Sequence, residues 1–124
     1  MNTITLEYFE QKKDQFEKQE LVFSSSLIKS SFELQSLFVV KVEGHSMEPL
    51  IQNNSLVVAD LSQKEFEGNA IFLVYKNDRM WIKKAALIDN QKYFVSLNHG
   101  YEHLVYPLDE VRVVAKVLLT FTSL

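Results

Sequence analysis

The chain has no cysteine. That excludes a disulfide framework and any thiolate metal site. Glycine and proline are scarce, three and two in 124 residues, so each one marks a place where the backbone must turn. No apolar run approaches the roughly 18 residues of a membrane span. No charged-then-apolar segment opens the chain as a secretion signal would. There is no surplus of base either: the net charge is −3 and the pI about 5.6. Direct DNA binding by this chain alone is therefore not expected. No internal repeat and no low-complexity run appears. These absences predict a cytoplasmic protein with no membrane partner.

What is present is apolar enough to fold. Hydrophobic residues make up 47% of the chain, which suits one domain with a single core. Residues 1–20 differ from the rest, with many charges around Ile4, Leu6, Tyr8, Phe9 and Phe16. Lys13 with Glu17, and Asp14 with Lys18, stand at i,i+4 spacing. Thr5 is a fitting cap. The spacing predicts a helix from about Leu6 to Lys18, so 1–20 reads as a helical arm or linker and 21–124 as the folded domain. The apolar stripe of that helix is thin and requires docking on something.

Beyond it the pattern is of short strands with turn signals between them. Strands are expected at 21–23, 37–42, 56–60, 70–75, 80–87, 93–97 and 111–121, with a turn of helix at 27–31. The hairpin over 70–87 closes at Lys76-Asn77-Asp78-Arg79, and Asp89-Asn90 marks the next turn. Residues 98–110 read as a loop. The architecture expected is mainly β and barrel-like.

The most informative stretch is Val42 to Leu50. A strand ends at Val42, Gly44 breaks it, and Pro49 prevents a regular structure from restarting. Ser46 lies between, flanked by His45 and Met47. A serine on such a turn projects its hydroxyl away from the sheet. The backbone N–H groups of His45 and Ser46, unpaired by any ladder, are placed to face a developing oxyanion. The plain alternative is a serine that caps the next segment.

The second informative stretch is Arg79 to Ile88, a strand with two lysines in apolar company. A serine needs a base to become a nucleophile. Lysine serves only when its amine is neutral, and desolvation lowers its pKa. Strand parity puts Trp81, Lys83 and Ala85 on one face and Met80, Ile82, Lys84 and Ala86 on the other. Both lysines have apolar neighbours, so parity does not choose between them. The histidines add little. His99 and His103 stand at i,i+4, but Gly100 puts them in a loop. Neither a metal site nor a Ser–His–Asp triad is expected from His45, His99 and His103. Asp60, at a strand end, reads as a turn anchor.

Gly44-His45-Ser46-Met47-Glu48-Pro49, followed by Ile82-Lys83-Lys84-Ala85, resembles the S24 peptidase domain. This is the self-cleaving domain of the LexA repressor, the mutagenesis protein UmuD and many phage repressors. The family's Gly-x-Ser-Met turn, a strand, a glycine-started strand and a Val-Lys-Arg strand are met in order by 44–47, 55–60, 67–74 and 82–84. Ser96-Leu97-Asn98 with Tyr101 is similar to its Ser-x-Asn-x-x-Tyr stretch. The likeness covers about residues 38–120. Asn53-Asn54-Ser55 departs from the family's Asp-Gly-Asp, and Ala115 stands where glycine is common. Asparagine tolerates left-handed turns, so the hairpin survives the change.

The resemblance implies a LexA/signal-peptidase-like β-barrel domain. It implies Ser46 as nucleophile and Lys83 as general base, with Lys84 in the place of the family's arginine. Gly44, Met47 and Pro49 support the turn, and no cofactor or metal is implied. Type I signal peptidases share a similar turn, but their apolar anchor cannot come from a segment interrupted by Lys12, Lys13, Asp14, Glu17 and Lys18. The segment ahead of residue 38 is too short for a three-helix DNA reader. The chain is thus expected to be like UmuD in size, or like a repressor without its reader.

Two functions follow. One is a Ser–Lys peptidase in stress (SOS-type) or phage-repressor-type transcriptional regulation, with a recombinase filament or a protein substrate in trans as partner. The alternative is a non-cleaving dimerisation and interaction module that keeps the fold. The family cleaves itself at Ala-Gly or Cys-Gly ahead of the serine. No such dipeptide precedes Ser46 among Gly44, Gly68 and Gly100, so the chain is expected to stay intact. The resemblance also implies a homodimer through the C-terminal strand, residues 116–124.

Overall fold

The computed structural model describes residues 2–124. It opens with two strands, β1 (Thr3–Lys12) and β2 (Gln15–Ser24), paired antiparallel from Thr3↔Ser24 to Lys12↔Gln15. The helical arm expected over 1–20 is therefore absent: its described part is strand, and Met1 lies outside the described residues. The reason is the period of burial. Ile4 pairs with Phe23 and Leu6 with Leu21, so these four share one face. That face packs against Ile28, Leu37 and Val58. The residues read as i,i+4 helical pairs serve the hairpin instead. Lys13 and Asp14 form its two-residue tip, with Lys13 left-handed at φ 56°. Lys18 pairs across the strands with Glu7 and Lys12 with Glu17, while Lys12 also meets Glu10 on its own strand.

Short 3-10 turns at Ser25–Leu27 and Leu34–Ser36 lead into the main sheet. Its strands are β3 (Leu37–Lys41), β4 (Leu56–Asp60), β5 (Ile71–Lys76), β6 (Arg79–Ile88), β7 (Gln91–Val95), β8 (Tyr106–Pro107) and β9 (Arg112–Phe121). A third 3-10 turn, Leu108–Glu110, precedes β9. The order is β3-β4-β9-β5-β6-β7-β8, and all pairings are antiparallel. The sheet is open, with β3 and β8 at its edges, so the mainly β reading stands but the barrel is not closed. Register shifts at Val58/Ala59 and Leu73/Val74 bend the strands beside β9.

The turns follow their residue chemistry. Asn77 and Asp78 both have positive φ, as do Asp89 and Asn90. That is the signature of the two-residue hairpin turns that match strand twist. Asn54 is left-handed at φ 70°, as its tolerance for that region allows. Inside the sheet, Val57, Val58, Ala59, Phe72, Leu73, Val74, Ala85, Phe94 and Ala115 are fully buried. Among the described residues no helix is long and apolar enough to cross a membrane.

Candidate active site

The turn after β3 is held from below. The Val42 N–H donates to the Ser55 carbonyl (2.8 Å), and the Asn54 N–H donates back to the Val42 carbonyl (2.9 Å). The Gly44 N–H donates to Asn53 Oδ1 at 2.8 Å. Gly44 has φ 108°, with open space where a Cβ would stand. Backbone conformation, not crowding, is what calls for glycine there. Met47 is buried with Val42, Ile51 and Val57 and anchors the turn in the core. The peptide before Pro49 is cis.

Polar contacts finish the turn. His45 Nδ1 and Glu48 Oε2 are 2.9 Å apart. Glu48 Oε2 also accepts the Asn53 N–H at 3.3 Å. The His45 contact, then the Asn53 N–H, hold the Glu48 carboxyl below its ordinary range. Ser46 is half-buried. Its carbonyl accepts the N–H groups of Leu97 (3.0 Å) and Asn98 (2.9 Å). Asn98 Nδ2 donates to the His45 carbonyl at 2.7 Å. Among the described residues the N–H groups of His45 and Ser46 donate to no acceptor.

Of the two lysines, the fold buries Lys83 completely and leaves Lys84 half-exposed. This is the choice that parity left open. The Lys83 amine donates to Ser96 Oγ (2.5 Å) and to the Leu104 carbonyl (3.3 Å). Neither bond goes to Ser46. The rings of Trp81 and Tyr106 flank the amine at 5.2 and 5.3 Å from their centroids. Burial pushes the Lys83 pKa down to about 8. Among the described residues no carboxylate pairs with it.

A cavity of about 560 Å³ opens over the turn. Ser46 and Met47 line it together with Val40, Met80, Ile82 and Leu104. Lys83 lies behind that wall, joined to it through the Leu104 carbonyl. Lys41, Glu43, His45 and Arg79 add charged and polar groups to this lining, and β3 and β6 each contribute residues to it.

Other singled-out residues lie elsewhere. His99 and His103 are exposed in the loop after β7, with His99 against Glu102. Asp60 is buried and accepts from the Ser62 N–H and Oγ, from Gln63 and from the Glu33 N–H. Sequence reasoning assigned no role to Ser96, Asn98 or Leu104. The only signal available was the likeness of the 96–101 stretch to the family pattern.

A family model described as Peptidase S24-like matches residues 4–118. A 44-residue stretch is 39% identical to an uncharacterised HTH-type transcriptional regulator of Haemophilus influenzae. That stretch covers 36% of this chain and 18% of the relative.

Proposed function

This chain belongs to the S24 peptidase-like family, and from that premise we propose that it is a Ser–Lys peptidase domain acting in LexA-like transcriptional regulation. The observation that carries the reading is the buried Lys83, whose amine has no carboxylate partner among the described residues and a pKa lowered to about 8 by burial. A lysine kept for stability alone gains nothing from such a place. A general base needs it.

In this reading the neutral Lys83 amine takes the Ser46 hydroxyl proton as Oγ attacks a peptide carbonyl in the cavity. The carbonyl electrons move to oxygen, and the N–H groups of His45 and Ser46 receive the oxyanion. Lys83 then returns the proton to the leaving amine, which leaves an acyl-Ser46 ester for water to hydrolyse. The regulatory setting is suggested by the HTH-type relative. Residues 1–45 hold no Ala-Gly or Cys-Gly, so in this reading the substrate is a small-residue–glycine segment outside them, such as one on a regulator bound to a recombinase filament.

The test is labelling of Ser46 with a fluorophosphonate probe, read by intact mass across pH. Below pH about 8 the neutral fraction of Lys83 rises roughly tenfold per pH unit, so labelling should rise to a plateau near that value. Lys83→Ala should abolish it while Lys84→Ala leaves it in place. Labelling that ignores both pH and Lys83 rejects the dyad. A second reading, the non-cleaving interaction module, is favoured by one observation: both bonds of the Lys83 amine go to Ser96 and Leu104. An inert Ser46 at every pH is the outcome that supports it.

A further inference from the structure

We propose that Ser96-Leu97-Asn98 is a clasp that positions the two halves of the site, Ser96 for the Lys83 amine and Asn98 for the Ser46 turn. The proposal rests on the dyad reading for its reacting atoms but not for its geometry. The Ser46 turn follows β3, at one edge of the sheet, while Lys83 lies on β6. In sheet order β4, β9 and β5 stand between them. No ladder therefore joins them directly. The chain leaving β7 does so instead. Ser96 Oγ holds the lysine at 2.5 Å. The next two N–H groups hold the Ser46 carbonyl at 3.0 and 2.9 Å. Asn98 Nδ2 holds the His45 carbonyl at 2.7 Å. Three consecutive residues thus bridge both halves, and the carbonyls of both His45 and Ser46 accept from this stretch.

The acceptor count matters as well. A neutral amine has two N–H groups, and Ser96 Oγ and the Leu104 carbonyl take two. That leaves the lone pair unbonded. An ammonium would have a third N–H with no acceptor among the described residues. Charged and polarisable surroundings are few. Trp81 and Tyr106 present ring faces, and Tyr106 also takes the Lys76 ammonium at 5.1 Å, itself paired with Glu110. The ring faces favour the ammonium modestly, and Lys76 opposes it. Ser96 is the neutral group that fixes where the amine points.

The experiment uses the full chain and two readouts. The first is the titration midpoint of the Lys83 amine by NMR of lysine-labelled protein, assigned with Lys83→Met. Ser96→Ala removes an acceptor that favours the ammonium more than the neutral amine, so the midpoint should fall by at least roughly half a pH unit. Ser96→Thr, which keeps a hydroxyl, should restore it. A purely structural serine would lower the Tm of Ser96→Ala without moving the midpoint. If Ser96→Ala does not fold, Ser96→Cys carries the same test with a weaker acceptor. The second readout is fluorophosphonate labelling of Ser46. Asn98→Ala should lower its rate at least about tenfold with the Lys83 midpoint unchanged. Ser96→Ala with the wild-type midpoint, together with Asn98→Ala labelling at the wild-type rate, overturns the clasp and leaves the dyad untouched. Wild-type protein that resists the probe, while the Lys83 midpoint still follows Ser96, rejects the dyad and supports the clasp.

Discussion

Lys83 is the residue on which the chemistry turns, and its burial has a thermodynamic signature independent of any substrate. Its folded pKa of about 8 lies below the ordinary 10.5. Between those values the unfolded chain holds a proton that the folded chain has released, so stability rises with pH across that window. Below pH about 8 both states are protonated and the full penalty applies. Lys83→Met should therefore be more stable than wild type at pH 7, by about 1–3 kcal/mol. The gap should narrow as pH rises from about 8 towards 10.5, read by denaturant midpoints at each pH. A constant gap would mean the amine is not desolvated. Much of this residue-level picture is legible in the sequence. The Gly44 turn and the Ile82-Lys83-Lys84 strand are local patterns with local reasons. What separates Lys83 from Lys84 is not local, because both alternate with apolar residues. Ser96 and Leu104 are less visible still. Their contact with Lys83 depends on how the chain folds back after β7, and no spacing rule reports that path.

At the scale of elements, the N-terminal hairpin shows how charge can mask a strand. Ile4, Leu6 and Tyr8 alternate, but Phe9 and Phe16 break the count, and the i,i+4 charges imitate a helix. In the structure Phe9 and Phe16 are 68% exposed, while Ile4 is 6% exposed in the core. Ile4→Ala should thus destabilise the protein by about 2–4 kcal/mol, against less than about 0.5 kcal/mol for Phe9→Ala. Equal losses in a chemical melt would show that the hairpin does not dock as described. The end of β4 was easier to foresee, since an aspartate closing a strand is a common anchor. Burial alone would raise the Asp60 carboxyl, but hydrogen bonds from Ser62, Gln63 and Glu33 outweigh it and hold the pKa below 3.8. Its contribution is then present above the unfolded pKa and lost as pH falls through the folded one. Asp60→Ala should cost about 2–4 kcal/mol at pH 7. The gap between variant and wild type should narrow as pH falls through the lowered folded pKa of Asp60.

For the whole molecule the placement of β9 decides how copies can meet. The resemblance implies a homodimer through the C-terminal strand, and that strand runs through the middle of the sheet, between β4 and β5. On one side it pairs with β4 as far as Leu56↔Phe121. On the other it pairs with β5 only as far as Ile71↔Val117. The segment from Leu118 to Phe121 therefore has one side without a partner strand. Such an edge invites pairing with another chain unless something blocks it. A two-fold axis through it would pair the segment with itself, an isologous contact in which the same residues face each other. We expect a homodimer built this way. Leu119→Asp is a poor test, because Leu119 and Phe121 pack against the core cluster around Phe23 and Val58. Thr120 is exposed, and Thr120→Asp would set two carboxylates close to the axis, where like charges on paired strands repel. Sedimentation at tens of micromolar should show a wild-type dimer and a Thr120→Asp monomer with the same circular dichroism. A wild-type monomer, or a variant that dimerises as tightly, rules out pairing at this edge. In that case the free edge would belong to an interaction within a longer protein or with a different partner.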